Sequence, residues 1–400
     1  MPKLSAIKFI RGQIGVGSND YPVSNIRVLF AIILVGINLR PLYTSVGSTL
    51  EAIRLELDLT SAQLGLLTTL PSLCMGAVAI GAGMLLNTVP LSQGIRLSLA
   101  IIGLGSGLRL FADGLGILAL SSFIGGVGIA TAQVFVPVVI KHRFANRAAT
   151  VTAGYAAFMN LGASIAAATT PWIVGVLGGW RSGLAIWLLP ALIAAVAWPS
   201  NIGLAAQNEP RARLPWRRPV ARRLTVFLIA SSGIYGTMLA WTAPIYETLG
   251  WSTTRAGLLL AVLTSAQVAG SLATLPLTWW SRDRRWGMGI AVLSLLIGLS
   301  GILLAPEIAP WSWMVLIGGG LGAAFPLALV LPMDYCTSPV ETGGLTAMVF
   351  GVGVLIGGFT PWWIGLLRDL SGDFQSGILA LIFLACVKLL LTFTFHPNAR

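Results

Sequence analysis

Runs of about twenty apolar residues return along nearly the whole chain, each long enough to cross a bilayer when wound as a helix. Read against their charged or Pro/Gly-rich punctuation, they give twelve segments. The first six are Val28 to Leu50, Ala62 to Leu86, Ile95 to Phe111, Leu115 to Ile140, Ala149 to Leu177 and Leu184 to Trp198. The second six are Leu224 to Leu249, Ala256 to Trp280, Met288 to Leu304, Trp311 to Met333, Gly343 to Leu367 and Gly377 to Phe395. Only 10% of the 400 residues are charged, against roughly a quarter in soluble proteins, so most of the surface cannot face water. Period-two alternation over ten-residue stretches, the mark of a membrane β-barrel, is missing. The expected fold class is therefore all-α, polytopic and membrane-embedded.

The long polar insertion Asn201 to Arg223 holds Arg211, Arg213, Arg217, Arg218, Arg222 and Arg223. It reads as a cytoplasmic linker, dividing the chain into a tail (1–27), a first six-helix half (28–198), the basic linker (199–223) and a second half (224–400). With both termini cytoplasmic, the opposite side keeps only Arg54, Arg109, Arg181, Arg255 and Arg368 among the Lys and Arg, and the positive-inside rule supports that orientation. The net charge of +12 is spread over short loops, so it reads as a topology signal and not as a nucleic-acid surface. The tail has too short an apolar stretch, and no small-residue cleavage site, for a removable signal peptide. Cys74, Cys336 and Cys386 have no metal-ligand spacing, and no disulfide is expected.

The halves share a local repeat. Thr170-Pro171-Trp172, followed by Gly175 and Leu177, returns as Thr360-Pro361-Trp362, followed by Gly365 and Leu367. Ser182-Gly183-Leu184 answers Ser376-Gly377-Ile378. Repeats related by an axis along the membrane normal point to two halves rocking about a site near the midplane. The 47 glycines, many within spans at small-xxx-small spacing such as Gly318 and Gly322 or Gly353 and Gly357, serve close helix packing. The Gly318 to Ala323 stretch mimics a dinucleotide fingerprint but lies inside an apolar span with no preceding strand.

Arg40 is the informative side chain. It sits beside the midpoint of its span, too deep to snorkel, where a guanidinium costs at least about 2.5 to 3.5 kcal/mol and cannot shed its proton. Pro41 frees the carbonyl of Ile37, and Asn38 and Tyr43 add polar groups within a turn. One reading has Arg40 satisfied by helix carbonyls and a neighbouring helix. The other has it face a watery cavity and attract an anion. No Asp or Glu lies near the middle of any span, since Glu51, Glu247 and Asp113 sit at outer ends and Asp334 and Glu341 at the inner side. An unpaired central cation makes a small anion its natural partner. Gln133, Tyr155, Asn160, Tyr235 and Gln267 are further midspan polar candidates, with Trp241 and Phe325 as apolar walls. Trp172, Trp362, Trp279 and Trp280 read as interfacial anchors or packing. His142 and His396 lie near cytoplasmic ends, so a coupling proton, while a candidate, has no midspan carboxylate or histidine to ride on. Asp334 with Arg282, Arg284 or Arg143 forms a candidate cytoplasmic ion-pair gate.

Several of these motifs carry a resemblance. Asn38-Leu39-Arg40-Pro41 through Thr44-Ser45-Val46-Gly47, then Leu66-Leu67-Thr68-Thr69-Leu70-Pro71, resembles the opening signature of the cyanate permease family of the major facilitator superfamily. Gly125-Gly126-Val127-Gly128 through Gln133 and Pro137, Ile140-Lys141-His142-Arg143-Phe144, Gly322-Ala323-Ala324-Phe325-Pro326-Leu327 and Thr360-Pro361-Trp362 with Ser371-Gly372 add to it. The resemblance implies a twelve-helix secondary transporter of the inner membrane, associated with cyanate and, in a near branch, with export of 2-nitroimidazole-type compounds. It carries Arg40 and Gln133 over as site positions. Arg109 also matches, but its place near a helix end suits an entry or packing role. The superfamily usually has an Asp shortly after a Gly between helices two and three, whereas Gly83 is followed by Met84-Leu85-Leu86-Asn87. The loop Ser281-Arg282-Asp283-Arg284-Arg285 keeps its acid. The expected protein is a monomer in contact with lipid that carries a small anion, cyanate first, with an exporter of small heterocycles as the alternative. Neither an enzyme nor a sensor fits: there is no nucleophile with its base, no metal cluster and no cofactor motif, and no cofactor is expected.

Overall fold

The computed structural model describes residues 23–202, 214–280, 283–336 and 339–395. The tail before residue 23, Arg211, Arg213, Arg282 and His396 lie outside them, as do the side chains of Trp279 and Trp280. Among the described residues all regular structure is helical, and 12 helices are long and apolar enough to span a membrane. They are α1 Asn25–Gly47, α2 Ser61–Ile80, α3 Leu91–Phe111, α4 Leu115–Arg143, α5 Ala145–Leu177 and α6 Trp180–Ala197, then α7 Pro219–Glu247, α8 Thr253–Thr274, α9 Arg285–Leu304, α10 Pro310–Ala328, α11 Glu341–Ser371 and α12 Gln375–Thr392. These correspond one for one to the twelve apolar segments. Several helices run beyond them: α7 begins at Pro219, a good first-turn residue, and carries Arg222 and Arg223 in its opening turns, where hydropathy is blind.

Successive helices run in opposite directions, so the chain has a side that carries the linker and a far side. The halves meet mainly where α2 packs on α11 and α5 on α8. These contacts obey the sequence repeat. Gly65 is the fifth residue of α2 and Gly257 the fifth of α8. A methyl at Gly65 would stand 2.7 Å from the Pro361 carbonyl, and one at Gly257 would stand 2.8 Å from the Ala167 carbonyl and 2.9 Å from the Pro171 ring. Each Thr-Pro-Trp motif thus lies against a glycine of the other half, and the missing side chain lets the backbones touch. The copies still differ. The α5 helix runs unbroken through Pro171, whereas α11 breaks at Gly358-Phe359, after Gly357. Gly there lowers the cost of leaving the helix, and α5 has Ala168 and Thr169 at the matching positions.

The apolar core is distributed unequally. One buried cluster bridges the halves on the far side, joining Val46, Leu64 and Leu67 to Met238, Leu259 and Ile364. On the linker side, a cluster with Leu224, Phe227, Met288, Leu331, Leu345 and Phe395 is built from the second half alone. A third cluster, built mainly from the first half, draws in Leu239 and Leu260 of the second. Apolar packing between the halves is thus concentrated on the far side, whereas the cluster with Phe227 and Phe395 stays within the second half.

Candidate substrate-binding site

Helix α1 is in two pieces, Asn25–Asn38 and Pro41–Gly47, with Arg40 at the break as the residue before the second piece. Pro41 has no N–H, so the Ile37 carbonyl loses its helical partner. That carbonyl lies directly against Gly162 of α5, where any side chain would collide with it. The Asn38 amide donates back to the Leu34 carbonyl at 2.8 Å, holding the last turn before the break. The close approach of α5 brings the Tyr155 backbone against Gly36, one turn before Arg40.

Around Arg40 the structure gathers three phenols. Its guanidinium carbon lies 5.0 Å from the centre of the Tyr235 ring, which belongs to the other half. Tyr43 lies three residues along the same helix, and the Tyr155 ring packs against Gly36, one turn before Arg40. The Tyr43 hydroxyl is engaged, sharing a 2.7 Å bond with Ser72 Oγ of α2. The hydroxyls of Tyr155 and Tyr235 are buried and have no hydrogen-bond partner, and neither has Arg40 Nε. Among the described residues no carboxylate pairs with Arg40. A buried donor left unmade costs about 1 to 3 kcal/mol, so two unmet phenol donors beside a cation whose own Nε is unmet form a place that favours an acceptor-rich guest.

The other candidates are dispersed. Gln267 of α8 is 3% exposed and its amide Nε2 lacks a partner. Gln133 and Asn160 are half-buried, and the Asn160 backbone carbonyl accepts from Ser164 Oγ. Ser164 is bonded across the halves to Thr264 Oγ1 at 2.8 Å and accepts from Ser265 at 3.1 Å. Ser164 and Ser265 border a crevice of about 320 Å³ between α5 and α8, lined also by Ala157, Phe158, Leu161 and Val268. Phe325 is 39% exposed and stacks edge-on with Phe350 at 5.9 Å. Trp241 is fully buried in the far-side core, its indole N–H donating to the Pro361 carbonyl at 2.9 Å and its ring 5.5 Å from Phe374. It is not brought to the Arg40 group.

Sequence reasoning missed Ser45 of α1, Thr69 of α2 and Thr237 of α7, whose buried hydroxyls also lack partners. Nothing in the sequence distinguishes them from the many span hydroxyls that bond their own helix.

Arg284 Nε is 2.9 Å from Asp334, both in the second half. Arg143, 5% exposed, donates to Asn25 Oδ1 at 2.8 Å, to the Ile202 carbonyl at 2.6 Å and to the Val23 carbonyl, so it ties the end of α4 to the start of α1 and to the chain leaving α6. Arg109, 1% exposed, donates to the Leu42 carbonyl at 3.0 Å and braces the second piece of α1.

A twelve-helix bundle of two six-helix halves has counterparts among known proteins. The Major Facilitator Superfamily profile matches residues 28–359. The chain belongs to the major facilitator superfamily. This transporter is 35% identical to the cyanate transport protein CynX of Escherichia coli (strain K12) over 351 residues, 87% of this chain and 91% of that protein. It is 26% identical to the 2-nitroimidazole transporter of the same organism over 368 residues, 90% of this chain and 93% of that one. In fold it resembles a bacterial homologue of the human lysosomal transporter Spinster, with a TM-score of 0.78, 15% identity, and 95% and 97% of the two chains covered. A D-xylose–proton symporter superposes with a TM-score of 0.74 at 16% identity, covering 94% of this chain and 99% of that one. The cyanate permease resemblance read from the sequence rests on the same relatives.

Proposed function

We propose that this transporter moves a small anion, cyanate in the first place, by alternating access, with Arg40 as the electrostatic anchor and the Tyr155 and Tyr235 hydroxyls as donors to the cargo. The linker side is cytoplasmic in this reading, the membrane is the inner membrane, and the conformation described here faces inward. The observation that carries the proposal is the Arg40 guanidinium, which stands over the ring of Tyr235, pairs with no carboxylate among the described residues and leaves its buried Nε without a hydrogen-bond partner. An anion seated there joins the first half through Arg40 and the second through Tyr235, which is the geometry that lets cargo report its presence to both halves. Linear or planar anions suit the guanidinium fork. Gln133, Asn160 and Gln267 belong to the wider shell, and the Arg284–Asp334 pair to a gate on the linker side.

The test is binding of cyanate, nitrate, bicarbonate and 2-nitroimidazole to the purified transporter. Cyanate binding is expected to vanish in Arg40→Ala and to weaken at least about tenfold in Arg40→Lys, which keeps charge but loses the fork. Undiminished cyanate binding in Arg40→Ala overturns the proposal. Export of small heterocycles is the second reading, favoured by the 2-nitroimidazole relative.

A further inference from the structure

The two Thr-Pro-Trp helices end differently. In α5 the helix stops at Leu177 and Gly178 turns left-handed, with φ 75°. In α11 it continues to Ser371 before Gly372 turns in the same way, with φ 82°. Counted from the shared proline, α11 is longer by one helical turn, and that turn holds Arg368 and Asp369.

Both side chains reach into the other half. The two Asp369 carboxylate oxygens accept from the Ser61 and Ala62 backbone N–H groups, each at 2.8 Å. These are the first two amides of α2, which a helix leaves without internal partners, and the third, of Gln63, is taken by Thr60 Oγ1 at 3.2 Å. A residue of the second half therefore finishes the cap of a helix in the first, with the carboxylate at the positive end of the helix dipole. Arg368 Nη1 stands 3.6 Å from Glu51, which is itself held by Arg54 at 2.7 Å. The matching start of α8 has Ser252 accepting from its third amide at 3.4 Å, and the matching end of α5 offers only Gly178 and Gly179. The device is present once, on one of two equivalent seams.

We propose that the Arg368–Asp369 turn is a latch that locks the far side shut and must let go of α2 before that side opens. Opening strips two charge-assisted hydrogen bonds from the α2 amides, whatever the cargo, so the latch sets the resting balance between the two faces and is independent of the anion reading.

The test needs no cargo. Spin labels at Leu55 and Ile308, exposed on the far side in opposite halves, are placed in the transporter with Cys74, Cys336 and Cys386 replaced, and their distance distribution is read in proteoliposomes. Asp369→Ala is expected to raise the long-distance population relative to the short at least about tenfold. Asp369→Asn, which keeps one acceptor oxygen, gives a smaller shift and serves if the alanine variant does not fold. Ser61→Pro removes the Ser61 N–H and hydroxyl that face Asp369 while leaving the carboxylate in place; proline is tolerated at a first helical position, and Thr60 already has the extended conformation it needs, with ψ 159°. Its effect should be absorbed when combined with Asp369→Ala. Distributions unchanged from the parent in all variants, or full additivity of Ser61→Pro and Asp369→Ala, overturn the latch.

Discussion

The hydroxyls of Tyr155 and Tyr235 allow a prediction in which stability and affinity move in opposite directions. Each is buried with nothing to donate to, so in the empty transporter Tyr155→Phe or Tyr235→Phe removes an unmet donor and keeps the ring. The empty protein should become more stable by about 1 kcal/mol, as relief of an unsatisfied buried group allows, and melt a degree or more higher. If the same hydroxyl donates to an anion, its loss costs the complex about 1.5 to 3 kcal/mol, a rise in Kd of roughly ten- to a hundredfold. Tyr43→Phe is the control. Its hydroxyl is bonded to Ser72 Oγ at 2.7 Å, so the variant should be less stable by about 1 kcal/mol. The assay is a thermal melt of the purified protein without cargo, paired with cyanate binding on the same samples. Lower melting of the Tyr155 and Tyr235 variants together with unchanged Kd would refute the reasoning, because the hydroxyls would then serve the fold and not the guest.

Two further outcomes follow from the packing. Trp241→Phe loses the bond to the Pro361 carbonyl and part of a fully buried ring, so it should cost about 1 to 3 kcal/mol of stability in a melt while cyanate Kd stays within about twofold. On the far side, the hydrogen bond from Arg181, joined by that of the Trp180 indole N–H at 2.7 Å, holds the Glu56 carboxyl below the usual carboxylate range. A lowered folded-state value stabilises fully above the ordinary glutamate range near about pH 4.3 and is lost as pH falls through the folded value. Glu56→Gln should therefore lower the melting temperature by about 1 to 3 °C near neutral pH and match the parent in strong acid; a difference that persists in acid would assign the loss to packing.

The twelve spans were legible because lipid leaves the backbone no alternative to a helix, and the apolar length then reports the crossing directly. Arg40 was legible by its depth, and the break beside it by Pro41. What escaped was anything decided by a partner far along the chain. Trp241 looks the same in sequence whether its N–H meets a guest or the Pro361 carbonyl, 120 positions away. Arg143 reads in sequence as a partner for Asp334 in a gate, and only the fold brings Val23, Asn25 and Ile202 around it. Asp369 follows an arginine at a helix end and reads as an ordinary solvated charge, and only the fold puts it over the first amides of α2. The extra turn of α11 was hidden in the repeat itself, as a shift of register between the Thr-Pro-Trp and Ser-Gly matches.

The bridging apolar cluster makes the two faces of the transporter thermodynamically unequal. Opening the far side wets Val46, Leu64, Met238 and their neighbours, while the linker-side cluster lies within the second half and is not pulled apart when the halves move. A guest arriving from the far side must wait for a minority state, so its half-saturation there is scaled up by the rarity of that state, although the chamber it enters is the same one. Cargo titrated from opposite faces of an oriented vesicle should thus yield two different constants from one pocket.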